Sequence, residues 1–340
     1  MKAVLIKKSG GPENLTIEKN YETPRAAKGQ VLIQVKAFGI NRAELHMREG
    51  HWPEIAPIIG IECVGIVEED PSGVFPKGQK VAAIMGGMGR SINGSYAQYV
   101  CAPATNVIPI TTNLSWDILA SIPESFASAW GALQWGLKIK KGQTILVRGA
   151  TSCFGLAAIQ LAKKEGLTVV ATTRSNGKIN LLKETGADHV LLENKQLLNQ
   201  LKQIVPAKVN GVLELIGSTT LMNSTKLVRR KGTVCMAGFL GGRTFIDKSQ
   251  PLLEWVLKRH GKKFALPLPN GVKVTFFGSI VFGTPNFPIS ELPLQKIVTD
   301  IEEGKMPGIH RKTFLFDNIV EAHKFVESNS VNGKVVVTLP

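Results

Sequence analysis

The first 110 residues carry short apolar runs that are separated by turn residues. Several runs alternate partly between apolar and polar positions, which is typical of half-buried strands. Clusters of proline, glycine, asparagine and serine lie between them, so this part of the chain is predicted to be a compact β-rich domain. The predicted strands cover residues 31–37, 64–67, 80–84 and 96–100.

After Pro123 the pattern changes to short apolar strands that alternate with helical segments. Such alternation requires right-handed crossovers and predicts a parallel, doubly wound sheet. Gly166 and Gly186 stand where two of the helices are expected to end. The predicted strands are 144–147, 168–172, 189–192, 212–216 and 233–237, and the predicted helices are 156–164, 178–185, 196–205 and 220–227.

Two further strands complete the expected fold. One covers residues 274–280 and is placed at the edge of the parallel sheet. The other covers residues 333–339 and is expected to return to the β-rich domain, which would then be discontinuous. The sequence therefore predicts an α/β protein with one domain from residues 1–122 and 297–340 and a second from residues 123–296.

The positive charge of the chain is concentrated in the second predicted domain. The 340 residues carry a net charge of +15, and residues 123–296 hold 24 lysines and arginines against 9 acidic residues. Such asymmetry suggests an anionic partner. A basic, solvated surface is the alternative, because net charge governs solubility and association before it defines any site.

Cysteine spacing and hydropathy exclude several classes of protein. The four cysteines form no CxxC pair, which argues against a structural zinc lobe and against a disulfide framework. The first residues contain too short an apolar run for a signal peptide, and no stretch approaches the roughly 20 apolar residues of a membrane span. We therefore expect a cytoplasmic protein.

A glycine-containing turn follows the first strand of the second domain, at residues 149–155. It lies between a strand and a helix, as a dinucleotide-binding turn requires. Gly149 would permit the tight turn and Gly155 the close approach of helix to strand, while the backbone at the helix start would face a pyrophosphate. The residues between them, also predicted to contact the cofactor, are Thr151, Ser152, Cys153 and Phe154. A plain strand–turn–helix connection is the alternative.

The end of the second strand favours NADPH over NADH. An NAD site offers an acidic residue there to the ribose, whereas an NADP site offers a cation. The chain has Arg174, Ser175 and Lys178 at this position and no carboxylate between Glu165 and Glu184. Arginine binds a 2′-phosphate through two hydrogen bonds. The alternative, ordinary solvated cations at a helix start, is disfavoured by the helix dipole.

Several segments resemble the zinc-independent quinone oxidoreductases of the medium-chain dehydrogenase/reductase superfamily. The resemblance runs nearly end to end and implies a GroES-like β-rich catalytic domain, a Rossmann domain and an active site in the cleft between them. It also implies a homodimer formed through the edge strand at 274–280. The matching segments are GGPENL at 10–15, VKAFGIN at 35–41, GIECVG at 60–65, AAIQLAK at 157–163, EAH at 321–323 and GKVV at 333–336.

The resemblance also implies how this chain departs from its zinc-dependent relatives. Those relatives place a metal-binding cysteine near the position of Asn41 and a metal-binding histidine at the position of Ile61. Neither residue here supplies the nitrogen or sulfur ligand that zinc requires at these positions, so the prediction is an enzyme with no catalytic zinc. The amide of Asn41 is then expected to stabilise an oxyanion or enolate. A satisfied core asparagine is the alternative.

Further site residues follow from the same resemblance. His46 and Trp52 stand where many relatives carry aromatic hydroxyls, and we expect His46 to supply a proton and Trp52 to stack on a flat acceptor. A surface histidine and a tryptophan that plugs the domain edge are the ordinary alternatives. The remaining predicted cofactor contacts are Ser128, at the nicotinamide carboxamide, Gly238 and Phe239, after the fifth strand, and Lys334, in the last strand.

The predicted activity is hydride transfer from NADPH to a quinone or an α,β-unsaturated carbonyl (an enone). A 2-enoyl thioester reductase is the first alternative, with the basic runs at 229–231 and 258–263 receiving an anionic carrier group. Nucleic-acid binding through the same runs is a different class of function. It is disfavoured because aromatic residues are not interleaved with the cations as a stacking platform requires.

Overall fold

The structure is a computed structural model that describes residues 1–52, 54–238, 256, 259–328 and 332–340. The chain forms two compact units. The first consists of Met1–Glu124 and Phe282–Pro340, and the second of Ser125–Val281. The predicted domain limits, 1–122 with 297–340 and 123–296, remain a prediction. No helix among the described residues is both long enough and apolar enough to cross a bilayer.

The first unit is built around a mixed sheet with the strand order β15-β16-β3-β4-β5-β7, and β6 pairs with β3. The C-terminal strand β16 lies antiparallel to β3, where the sequence predicts the tail to return. The strands are β1 (Ala3–Ile6), β2 (Leu15–Glu18), β3 (Gln30–Gly39), β4 (Glu62–Glu69), β5 (Lys80–Ile84), β6 (Tyr99–Pro103), β7 (Val107–Pro109), β15 (His310–Leu315) and β16 (Lys334–Thr338). The helices are α1 (Arg42–Arg48), α2 (Trp116–Ala120), α8 (Leu294–Glu302) and α9 (Ile319–Glu327).

The second unit is a doubly wound sheet with the strand order β10-β9-β8-β11-β12-β14-β13. All neighbours from β10 to β14 are parallel, which gives the strand order of a Rossmann fold. The strands are β8 (Thr144–Arg148), β9 (Thr168–Thr173), β10 (His189–Leu192), β11 (Val209–Glu214), β12 (Val228–Met236), β13 (Leu266–Pro267) and β14 (Lys273–Phe276). The helices are α3 (Pro123–Gly131), which begins in the first unit, α4 (Cys153–Lys164), α5 (Ile179–Glu184), α6 (Leu197–Ile204) and α7 (Ser218–Leu227).

The core of this sheet explains its strand pattern. Leu146, Val170, Val212 and Val234 come from four adjacent parallel strands, and all are fully buried in one apolar cluster. Parallel strands that are covered on both faces require such apolar runs. The predicted parallel, doubly wound sheet is therefore confirmed.

The helix ends that sequence predicts at glycine are also confirmed. Gly166 has φ +74° and its N–H donates to the carbonyl of Lys163, while the next amide, of Leu167, donates to the carbonyl of Ala162. Gly186 ends α5 in the same way. Only glycine reaches these angles at little cost, so each helix stops where the glycine stands.

The predicted edge strand differs from the observed one. The strand at 274–280 is shorter than expected, because β14 ends at Phe276. It is not the outermost strand either, since the two-residue β13 pairs antiparallel with it. The placement of residues 274–280 at the edge of the sheet was therefore wrong.

Candidate active site

A buried polar cluster lies at the start of α1 in the first unit. Asn41 caps this helix, and its backbone N–H donates to Glu44 Oε2 at 2.9 Å. Glu44 Oε1 accepts a second bond, from the backbone N–H of Ile61, at 3.0 Å. The bond from the Asn41 N–H belongs to a capping box that Asn41 and Glu44 form at the start of the helix. Such a box satisfies amide groups that the first helical turn leaves without partners. It also fixes Asn41 and Glu44 against the segment that leads into β4.

Glu62 and Lys334 complete this cluster. Lys334 Nζ lies 2.6 Å from Glu62 Oε1 and also donates to Asn41 Oδ1. Glu62 Oε2 accepts the backbone N–H of Glu124, which is in the first turn of α3, at 2.8 Å. Lys334 and Glu62 are both buried. Buried charges persist only when they are paired and hydrogen-bonded, and these contacts meet that requirement.

Asn41 is held on both sides of its amide by this cluster. Its Nδ2 donates to Glu62 Oε1 at 2.8 Å and lies 3.5 Å from Glu44 Oε1. Its Oδ1 accepts from Lys334. These contacts correspond to the alternative interpretation, in which Asn41 is satisfied inside the protein and positions α1.

The carboxyl of Glu44 in this cluster has a raised pKa. Burial raises its pKa from 4.5 to about 7, and the negative charge of Glu62 adds to the effect. The hydrogen bond from Ile61 and the charge of Lys334 oppose the rise. With one lysine and two carboxyl groups, the cluster is electrically neutral when Glu44 carries a proton.

His46 and Trp52 lie around the C-terminal end of α1. His46 Nδ1 is 3.6 Å from Glu49 Oε2, and the same oxygen is 2.9 Å from His51 Nδ1. The guanidinium of Arg90 lies 5.6 Å from the centre of the Trp52 ring. Trp52 Nε1 is buried, and it has no hydrogen-bond partner among the described residues. An imidazole and an indole thus follow each other closely along the chain at the end of α1.

The turn at residues 149–155 has the geometry predicted for its two glycines. Gly149 has φ +75°, which an L-residue with a side chain rarely adopts. A Cβ at Gly155 would lie 2.6 Å from Ala150 Cα, so the helix approaches the turn too closely for any side chain. The structural roles of Gly149 and Gly155 are therefore confirmed.

Ser152 uses its hydroxyl within this turn. Its Oγ donates to the carbonyl of Gly149 at 2.9 Å and accepts the N–H of Gly155 at 3.1 Å, which makes it the N-cap of α4. The hydroxyl of Ser152 is therefore engaged within the turn, and its contact with the cofactor remains a prediction. The other residues of the turn predicted to contact the cofactor are half-buried and comprise Thr151, Cys153 and Phe154.

Arg174 and Ser175 are exposed directly after β9. Because β9 is the parallel neighbour of β8, they lie at the same edge of the sheet as the turn at 149–155. Lys178 ends a short 3₁₀ turn, and its amide donates to the carbonyl of Ser175. Helix N-termini bind phosphates, and arginine adds a charged fork, so the arrangement fits a phosphorylated dinucleotide.

The remaining predicted cofactor residues have separate positions. Ser128 is buried within α3. Gly238 follows β12, and a Cβ there would lie 2.6 Å from the carbonyl oxygen of Leu215. Lys334 is buried in the first unit against Glu62, and Phe239 lies outside the described residues.

One buried network at the same sheet edge was not anticipated. Arg148, the last residue of β8, lies 3.3 Å from Glu214 Oε2 and donates to Ser224 Oγ at 2.7 Å. It also pairs with Glu193. Glu214 Oε1 accepts the amides of Ile216 and Gly217. An arginine in the last position of an apolar strand is the only local signal, and it does not identify its partners.

Comparisons with known proteins agree with this fold. Residues 27–112 match the family model of the alcohol dehydrogenase GroES-like domain, and residues 153–258 match that of the zinc-binding dehydrogenases. The quinone oxidoreductase of Mus musculus is 29% identical over 251 residues, 71% of this chain and 74% of that protein. The quinone oxidoreductase of Homo sapiens is 26% identical over 314 residues, 87% of this chain and 92% of that protein.

A solved structure gives the same result for the fold. Escherichia coli quinone oxidoreductase, crystallised with NADPH, superimposes with a TM-score of 0.82 at 22% identity, covering 99% of this chain and 100% of that one. The GroES-like and Rossmann folds that the sequence predicts are therefore confirmed. The chain belongs to the medium-chain dehydrogenase/reductase superfamily and is an oxidoreductase that uses a nicotinamide cofactor.

Proposed function

We propose that the protein is an NADPH-dependent reductase of quinones or α,β-unsaturated carbonyls. Bound NADPH supplies a hydride. Reduction of the acceptor uses no catalytic zinc. Zinc-dependent relatives bind the metal at positions where this chain has Asn41 and Ile61. An amide held by Glu62 and Lys334 and an aliphatic side chain are not zinc ligands.

The observation that carries the proposal is the exposed Arg174 beside the turn at 149–155. The two lie after adjacent parallel strands, and no acidic residue stands between Glu165 and Glu184 to bind an unphosphorylated ribose. Gly149 and Gly155 let the backbone turn closely at the N-terminus of α4. We assign the pyrophosphate to this turn and the 2′-phosphate to Arg174, Ser175 and Lys178.

We assign the acceptor to the region at the end of α1 that carries His46 and Trp52. Trp52 offers a flat apolar face with the Arg90 guanidinium beside it, which suits a planar, electron-poor ring or enone. His46 holds the proton that the reduced acceptor requires. Asn41 acts as a positioning residue, because its amide fixes the helix that carries His46.

An acceptor screen tests the proposal. Oxidation of NADPH is followed at equal concentrations of 1,4-benzoquinone, 3-penten-2-one and crotonyl-CoA, with NADH in parallel. The proposal expects the quinone or the enone to stimulate NADPH oxidation most. Preference for crotonyl-CoA would favour the 2-enoyl thioester reductase, whose carrier group the exposed run at 229–231 would receive. Failure of all three acceptors would contradict the assignment.

A further inference from the structure

The end of α1 brings two histidines and a glutamate together. Gly50 has φ +77° and turns the chain back, so that its amide donates to the carbonyl of Met47 and the amide of His51 donates to that of His46. This is the Schellman motif, in which the residues at the positions of His46 and His51 normally form an apolar contact. Here both positions hold imidazole rings, whose centroids are 6.1 Å apart.

Glu49 lies between the two rings. Its Oε2 is 2.9 Å from His51 Nδ1 and 3.6 Å from His46 Nδ1. All three atoms lie within 4.8 Å of one another. Ligand bonds of 2.0–2.2 Å in a tetrahedral zinc site separate ligand atoms by about 3.3 Å, so small rotations of these side chains bring them to coordination distance.

The helix that carries these groups is firmly held. Arg48 is buried, donates from Nε to the carbonyl of Gly10 at 2.9 Å, and pairs with Glu327. Its Nη2 also lies 3.7 Å from Glu49 Oε1, which leaves Oε2 on the side of the imidazoles. Such outer contacts orient a carboxylate ligand. The three side chains are 31%, 22% and 34% exposed for His46, Glu49 and His51, so the cluster lies at the surface of the unit. Both Nδ1 atoms are themselves covered, and the same small rotations that bring the ligand atoms to coordination distance are needed to admit a cation.

We propose that His46 Nδ1, Glu49 Oε2 and His51 Nδ1 bind a divalent transition cation of the zinc class. Two imidazoles and one carboxylate suit zinc, cobalt and nickel better than magnesium or calcium, which require oxygen ligands. Three protein ligands leave coordination positions open to water or to another molecule. The site is separate from the metal position of zinc-dependent relatives, where this chain has Asn41 and Ile61.

Occupation of this site has a consequence for His46. A bound cation takes the lone pair of Nδ1, and His46 can then no longer exchange a proton at that atom. If His46 acts as proposed above, the loaded protein reduces its acceptor more slowly. The binding proposal itself does not depend on that activity, because it rests on the three ligand atoms alone.

Metal titration of the tag-free, chelator-stripped protein tests the proposal. Zn²⁺ binding is measured by calorimetry and Co²⁺ binding by visible absorption. We expect one equivalent to bind, with a spectrum that lacks the intense near-ultraviolet band of cobalt–thiolate bonds. His51→Ala and Glu49→Gln should each weaken binding at least about tenfold. His189→Ala, which removes an exposed histidine of β10, should leave binding unchanged.

Circular dichroism confirms that each variant is folded before titration, and Glu49→Gln keeps the shape of the side chain in case His51→Ala disturbs the turn. Absence of a stoichiometric site in the unaltered protein would overturn the proposal. Equal affinity in both variants and the unaltered protein would also overturn it. A cobalt–thiolate band would indicate that one of the four cysteines binds the metal and would likewise contradict the assignment.

Discussion

Lys334 Nζ and Glu62 Oε1 lie 2.6 Å apart in the interior of the first unit. Lys334 begins β16 and Glu62 begins β4, and both strands flank β3 in the sheet. The contact passes over Gly39 of β3, where a Cβ would stand 2.7 Å from Glu62 Oε1 and would also collide with the lysine. A residue without a side chain in β3 therefore allows the ion pair to link β16 with β4.

Lys334→Met should destabilise the protein strongly. The substitution leaves Glu62 buried without its cation, and removal of one member of a buried pair costs about 3–5 kcal/mol. Urea unfolding measures the change. Lys2→Met, at the exposed pair with Asp317, is the control and should alter stability by less than about 1 kcal/mol. Equal losses of stability in the two variants would show that the buried pair contributes no more to the free energy of unfolding than the exposed pair does.

The contribution of Glu44 to the free energy of unfolding should fall as pH rises from 4.5 to 7. Burial raises the pKa of Glu44 to about 7, so between these values the folded protein holds a proton that the unfolded chain releases. Glu44→Gln cannot titrate. The stability of the unaltered protein relative to this variant should fall across the window by on the order of 3 kcal/mol. Urea unfolding at half-unit pH steps measures it, and a constant difference would contradict the shift.

His323 should act in the opposite direction. Burial, and then the charge of Arg48, lower the pKa of His323 from 6.5 to about 3. The guanidinium of Arg48 donates to Nδ1 at 3.2 Å, which leaves Nε2 to donate to the hydroxyl of Tyr96 at 3.0 Å. Below pH 6.5 the unfolded chain therefore binds a proton at His323, whereas the folded protein does not bind it until the pH approaches 3. This stability is present above pH 6.5 and is lost as pH falls towards 3.

His323→Gln removes that contribution and isolates the one from Glu44. In the unaltered protein the two contributions have opposite slopes between pH 4.5 and 6.5 and partly cancel. The variant should therefore lose stability more steeply than the unaltered protein as pH rises through this interval. Urea unfolding over the same pH series checks the slope, and parallel curves would refute the assignment.

Local patterns predicted the second unit better than the buried cluster of the first. Apolar runs, and glycines that end helices, act through residues close by in the sequence. The parallel strands and the helix ends at Gly166 and Gly186 could therefore be predicted from the sequence. Lys334 and Glu62 meet only because the sheet brings distant strands together, and nothing near either residue indicates its partner. β13 is only two residues long and contains Pro267, a residue that is rare inside strands, so nothing in the sequence signals a further strand at the sheet edge.

The cluster at the end of α1 is an intermediate case. His46, Glu49 and His51 lie within six residues, and Gly50 between the last two is a helix-stop signal. A helix that ends at this glycine places the first and last of the three side by side. Sequence reasoning considered His46 alone and so missed a local signal. The pairing of Arg48 with Glu327, in contrast, depends on the tertiary fold.

Gly155→Ala should destabilise the second unit although alanine is the better helix former. Helix propensity favours the change by about 1 kcal/mol. The new Cβ would lie 2.6 Å from both Ala150 Cα and the Ala150 carbonyl oxygen, and overpacking of this kind costs about 1–3 kcal/mol. Urea unfolding should show a net loss. Gly278→Ala is the control, because its nearest neighbour would be 3.8 Å away. A more stable Gly155→Ala variant would contradict the close approach.

Arg174→Ala should weaken NADPH binding far more than NADH binding. The two cofactors differ only in the 2′-phosphate, so loss of a two-pronged, charge-assisted contact should cost NADPH about 1.5–3 kcal/mol, or roughly ten- to a hundredfold in affinity. Arg174 is exposed after β9, so its removal should leave the free energy of unfolding nearly unchanged. Calorimetry with both cofactors measures the difference. Arg230→Ala, at an exposed arginine of β12, is the control and should alter neither affinity. Equal losses of affinity for NADPH and NADH would contradict the assignment of the 2′-phosphate to Arg174.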